Sequence, residues 1–108
     1  MTKPLGIRPT YNHNVPDGPL FALRCKGDME PTIPDGALAI IHEQPEVKDS
    51  EIAAVQVDHD TEATLKRIKH QDNMVLLIPD NKNYDPIILN KENPGRIIGK
   101  AIKYSAPL

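Results

Sequence analysis

The chain has 108 residues, a formal charge of −2 and a sequence pI near 6.0, with 11 prolines, 6 glycines, one cysteine and only four aromatic side chains (one Phe, three Tyr). That length supports one domain with one modest, aliphatic core, and the charge balance excludes the basic footprint of a nucleic-acid-binding surface. Cys25 has no partner for an internal disulfide and fits a reducing compartment, while the longest clean apolar run, Ala37–Ile41, is far short of a membrane span and the N-terminus lacks the apolar region of a secretory signal.

Residues 1–19 carry Pro4, Pro9, Pro16 and Pro19 with no apolar period. They are expected to form an extended arm, with brief pairing near Ile7. Leu20–Cys25 reads as a first strand, Leu20, Ala22 and Arg24 on one face and Phe21, Leu23 and Cys25 on the other. Both faces are largely apolar, which predicts a central position in the sheet. Ala37–His42 is the second strand. Glu51–Asp58 is the third, with Ala53, Val55 and Val57 on one face. Thr61–Lys69 follows as the fourth strand and reads as a hairpin with the third, Met74–Ile78 returns as the fifth after a second reversal, then come the short Ile87–Leu89 and a last strand over Arg96–Tyr104. Short strands separated by turn residues, with no long helical period, predict an all-β fold of about seven strands in a partly closed barrel over residues 20–108.

The most irregular stretch is Lys26–Gly36, where two glycines and two prolines stand within eleven residues between two apolar strands. Pro34-Asp35-Gly36 is turn chemistry: proline presets φ and glycine supplies the positive φ. A rigid loop bearing acidic residues between strands is where sites are often built. Taken alone, though, it is more often a plain connection.

The order of motifs changes that balance. Gly27-Asp28-Met29-Glu30-Pro31 resembles the nucleophile loop of the LexA and phage-repressor self-cleaving proteases, which reads G-[D/N]-S-M-x-P, with the serine missing here. Asp35–Ile41 is similar to that family's D-G-[D/A]-hydrophobic strand. Asp49–Val55 resembles its D-G-E-I-A-A-V segment, with Ser50 where glycine is usual. Ala63–Arg67 is similar to its catalytic-lysine strand, Leu77–Ile87 to its L-I-P-E-N-x-x-Y-x-P-I block, and Arg96–Lys100 to its closing strand. Each match alone is weak, but together, in order, they are specific.

The resemblance implies a LexA- and signal-peptidase-like fold and a Ser-Lys chemistry with Lys66 as general base. The loop residues Gly27, Asp28 and Met29 would offer backbone N–H groups to an oxyanion. Read without it, Lys66 is one more solvated strand lysine beside Arg67 and Lys69. Only Ser50 and Ser105 exist in the chain, and neither matches the motif. The simplest account is a deletion between Asp28 and Met29. Cys25 is expected to be a buried core thiol.

The family cleaves an Ala-Gly or Cys-Gly bond, and neither dipeptide occurs here, nor does a helix-turn-helix region. The resemblance therefore implies an isolated C-terminal domain of a cytoplasmic repressor, from a bacterium or a phage-infected cell. Such a domain forms a homodimer, works with an N-terminal DNA-binding domain, and is engaged by an activated recombinase filament. With the serine missing, dimerisation is expected to survive and cleavage to be lost. The alternatives are an active Ser-Lys autoprotease carrying a serine between Asp28 and Met29 that this sequence does not show, and an unrelated β-barrel interaction module. No cofactor is expected. His13, His42, His59 and His70 stand singly without metal-ligand spacing. Asp58-His59-Asp60 reads as a polar hairpin tip rather than a cation site, and the basic run Lys66–Lys69 is too short to claim nucleic acid.

Overall fold

The computed structural model describes residues 18–58 and 60–108. Of the arm expected over 1–19, only Gly18 and Pro19 fall among them, so the pairing near Ile7, His13 and the hairpin-tip His59 lie outside the described residues. The rest is all-β. Seven strands form one antiparallel sheet: β1 (Leu20–Arg24), β2 (Leu38–Glu43), β3 (Ile52–Val57), β4 (Thr64–Gln71), β5 (Met74–Ile78), β6 (Ile87–Leu89) and β7 (Gly95–Ser105). A single 3-10 turn, Gly27–Met29, breaks the pattern. The lateral order is β1-β2-β7-β3-β4-β5-β6, so the sheet is open, with β1 and β6 at its edges.

The edge position of β1 corrects the central placement expected from its sequence. Leu20 through Leu23 are all buried, and Phe21, Leu23 and Cys25 lie in the core as the alternation predicts. Apolar residues on both faces report what lies above and below a strand. They do not report whether another backbone flanks it, and among the described residues only β2 does.

Two aliphatic clusters fill the interior. One joins β1, β2 and the 25–37 loop through Phe21, Leu23, Met29, Ile33 and Ile41. The other joins β3, β4, β5 and β6 through Val55, Val57, Ile68, Leu77 and Leu89. Strand β3 separates them: Ala54 faces the first cluster, while Ala53, Val55 and Val57 face the second. Strand β7 needs bulges to pair with both neighbours, at Ile40/Ile41 of β2 and Ala54/Val55 of β3. At Gly99 the backbones come so close that an added Cβ would stand 2.4 Å from Ile41 Cγ2 and 2.6 Å from the His42 carbonyl oxygen.

Ser50, where the resemblance places glycine, has φ +73°. Its backbone N–H donates to the Ile68 carbonyl at 2.8 Å and its own carbonyl accepts from Arg67 Nη1 at 2.6 Å, so the turn is pinned in this left-handed conformation. A Cβ is costly there. Ser50→Gly should therefore stabilise the fold by about 0.5–1 kcal/mol, read as a higher urea midpoint at unchanged slope.

Candidate active site

The site forms where the 3-10 turn Gly27–Met29 lies against β4. The turn is anchored on both sides. Before it, Cys25 exchanges backbone bonds with the far end of the loop: its N–H donates to Ala37 O at 2.8 Å and its carbonyl accepts from Gly36 N at 2.9 Å. After it, Met29 is fully buried, and its carbonyl accepts from the N–H of buried Ile33 at 3.0 Å. The irregular backbone between two strands is therefore held by core packing and a few directed bonds.

Lys66 projects from β4 into this turn. Its ammonium donates to Asp28 Oδ2 at 2.5 Å and to Thr64 Oγ1 at 2.5 Å, and the Thr64 hydroxyl donates to the same carboxylate oxygen at 3.4 Å. The Lys66 side chain is 6% exposed and that of Asp28 is 14% exposed. This is a lysine held in the interior by a carboxylate and a hydroxyl, and the solvated strand lysine of the bland reading is ruled out. Strand alternation explains the Thr64 contact, since residues two apart share a face. Ser50 meets Arg67 and Ile68 in its turn, and Ser105 ends β7. Neither hydrogen-bonds to Lys66.

A second layer fixes the turn from the β5–β6 connection. Asn81 Nδ2 donates to Gly27 O at 2.8 Å, and Asn81 N donates to Asp28 O at 3.0 Å. One residue thus grips two successive carbonyls. The N–H of a trans peptide points opposite its carbonyl, so the N–H groups of Asp28 and Met29 are turned away from Asn81. Beside it, Arg67 holds Asp80 with two parallel bonds, Nε to Oδ1 at 2.9 Å and Nη2 to Oδ2 at 2.6 Å, and the Thr32 hydroxyl donates to Asp80 Oδ2 at 2.5 Å. Asp80, Asn81 and Thr32 were not singled out as site residues in the sequence. The signal for the first two was their place, directly after Pro79 at the end of an apolar strand, within the Leu77–Ile87 motif.

An open cleft of about 640 Å³ leads to Asp28, between the end of β1 and the start of β4, lined by residues including Leu23, Arg24, Lys26, Glu62, Thr64 and Leu65. Lys26 and Glu62 form an exposed ion pair at 3.1 Å on its rim, a contact of small energetic weight. Cys25 also borders the cleft, but its thiol is buried, and burial, the largest influence, raises its pKa above the ordinary thiol value. Among the described residues no group of His, Cys, Asp and Glu side chains is arranged to hold a metal ion, and no helix is long and apolar enough to cross a membrane.

The peptidase S24-like family model matches residues 7–102. This chain belongs to the peptidase S24-like family. Its fold and sequence are those of a LexA-like C-terminal domain. It is 40% identical over 88 residues to the LexA repressor of Citrifermentans bemidjiense, covering 79% of this chain and 43% of that protein. It is 39% identical over 94 residues to LexA repressor 1 of Geobacter sulfurreducens, covering 84% and 46%. With the LexA repressor of Streptomyces coelicolor the identity is 38% over 98 residues, covering 89% and 40%. The chain thus spans less than half the length of these relatives. An unrelated β-barrel module is not compatible with this S24-like membership.

Two outcomes follow from the geometry. Lys66→Met leaves the Asp28 carboxylate largely buried and without its cation, which should cost about 3 kcal/mol in urea unfolding. Adding Asp28→Asn to it should recover part of that loss, because no bare charge then remains buried. The second concerns acid. Hydrogen bonds from Arg67 are the largest influence on Asp80 and hold its carboxyl below the usual range; burial opposes them, and the Thr32 hydroxyl and the Arg67 charge add to the lowering. A depressed folded-state pKa means that the Asp80 contribution is complete above the unfolded carboxylate value of about 3.9 and is lost as pH falls through the lower folded value. Asp80→Asn should flatten the acid limb of stability between about pH 5 and about pH 2, measured by urea titration at each pH.

Proposed function

We propose that this chain is the C-terminal regulatory and dimerisation domain of a LexA-like or phage-type transcriptional repressor, acting in the cytoplasm and unable to cut its own linker. The observation that carries this reading is the buried Lys66 at the Gly27–Met29 turn with no serine beside it, in a chain of the peptidase S24-like family. In this reading residues 20–108 are the peptidase and dimerisation domain, Lys66 is the inherited general base and the Gly27–Met29 turn is the inherited oxyanion loop. A general base needs an acceptor lone pair. Here the Lys66 amine is spent as a donor to Asp28 and Thr64. The Thr64 hydroxyl accepts from Lys66, the reverse of the proton flow a nucleophile requires.

Dimerisation rests on β7. Its ladder to β3 ends at Ala53↔Lys100, whereas its ladder to β2 runs on to Leu38↔Ser105. The segment Ala101–Ser105 is therefore paired to β2 on one side and extends past the end of the β3 ladder on the other, and Tyr104 is exposed. A strand edge of this kind pairs readily with a second copy. The full repressor would carry the DNA-binding domain beyond this chain, and engagement of an activated recombinase filament would not release it. The SOS-type response would be blocked at the cutting step.

Sedimentation equilibrium tests the reading. A homodimer is expected at micromolar concentration, with Tyr104→Pro shifting it to monomer because proline removes the backbone donor and disfavours strand pairing. Incubation with linker peptides from neutral to alkaline pH should give no cleavage. A monomer at high micromolar concentration would remove the dimer, and Lys66-dependent cleavage by the parent chain would restore the active protease.

A further inference from the structure

We propose that Asp28 itself stands where the attacking side chain belongs, so that its ion pair with Lys66 is a lock on the dyad, and that one substitution at unchanged chain length, Asp28→Ser, opens it. The inference rests on the peptidase-like reading of Lys66 and adds to it the identity of the residue that replaces the nucleophile. The missing residue can be drawn on either side of Asp28, and the structure favours the upstream side.

Three observations carry this. First, the loop cannot slide downstream of Asp28: Met29 and Ile33 are buried and bonded to each other through their backbones. Counting back from buried Met29, the adjacent position is Asp28, as serine is adjacent to methionine in the motif. The shortening must be absorbed between Cys25, tied to Gly36 and Ala37, and Asp28, a stretch that contains only exposed Lys26 and half-buried Gly27. Second, the side chain at position 28 is the one from the turn that reaches the amine, at 2.5 Å, and Asp28 also borders the cleft. Third, Asn81 holds the carbonyls of Gly27 and Asp28 together, which orients the peptide planes on both sides of position 28. A backbone so held presents whatever side chain occupies that position to Lys66.

The consequence is a double block. The carboxylate supplies no hydroxyl to attack with, and it also takes the lysine as its hydrogen-bond donor, leaving the amine no free lone pair. A serine at the same backbone position removes both at once. Its Oγ is shorter in reach than Oδ2, a difference that the four-carbon lysine stem can close.

The test uses a fluorophosphonate probe, which needs no knowledge of the natural peptide. In Asp28→Ser the new hydroxyl oxygen attacks phosphorus. The O–P bond forms, the P–F bond breaks, fluoride leaves, and the hydroxyl proton passes to the Lys66 amine. Intact mass and peptide mapping should place the adduct at position 28. The rate should rise toward alkaline pH and exceed that of Asp28→Ser/Lys66→Ala at least about a hundredfold. The parent should remain unmodified. If Asp28→Ser is folded and silent while a chain with serine inserted between residues 28 and 29 is modified, the longer loop is required and Asp28 is not the equivalent position. Silence of both chains overturns the lock as well, and modification of the parent places the nucleophile elsewhere. Should Asp28→Ser fail to fold, Asp28→Cys gives the same reading through iodoacetamide. Alkylation at position 28 should depend on Lys66, and an equal rate in the Lys66→Ala background overturns the proposal. The dimer measured by sedimentation is independent of all these outcomes, so a failed lock and a failed regulatory role are told apart.

Discussion

The arrangement depends on a charge pair taken out of water. Lys66 and Asp28 meet with little solvent on either side chain, and such a pair contributes less net stability than its Coulomb attraction suggests, because both ions were desolvated to make it. What it supplies is geometry. With Met29 packed in the core on one side and Asn81 gripping two carbonyls on the other, the pair fixes the irregular turn between β1 and β2. The neighbouring Arg67–Asp80–Thr32 group repeats the device at the next step of the loop, this time with a bidentate guanidinium. Two cations on consecutive residues of β4 thus hold two acids on different loops, and alternation along the strand lets them diverge to do so.

This division of labour separates the fold from the chemistry. The aliphatic clusters, the bulged β7 ladders and the turn at Ser50 build a sheet that needs no reactive group. The reactive geometry is a small addition on top: one lysine, one threonine, one turn and the loop that backs it. Neither cluster includes the side chain at position 28, so the packing of the core does not draw on it.

The sequence carried the strands well because alternation and turn residues are local signals. Met74–Ile78 and Ile87–Leu89 begin and end where expected, and β3 turns Ala53, Val55 and Val57 to one side. The start of β4 was less legible: strand pairing begins at Thr64, not Thr61, because the backbone ahead of it turns instead, with the Asp60 N–H donating to the Val57 carbonyl at 2.9 Å. The edge position of β1 was not legible, because lateral order is set by pairings distant in sequence. At the site, motif order pointed to Lys66 and to the 27–29 turn. The Asp28 contact, the Asn81 clamp and the Asp80 bridge join residues 38, 54 and 13 positions apart on different elements, and local pattern does not encode where those elements come to rest.

Strand β3 has a further consequence. Ala53 and Ala54, adjacent in sequence, are fully buried in different clusters, and the smallness of both lets the two interiors close on the same backbone. Neither half can be exposed without uncovering one face of the strand that completes the other. The amides of β3 and β7 should therefore exchange their hydrogens only through one opening that involves both halves, while β6 and the chain end exchange through smaller ones. The molecule contains two cores but is expected to unfold as one cooperative unit.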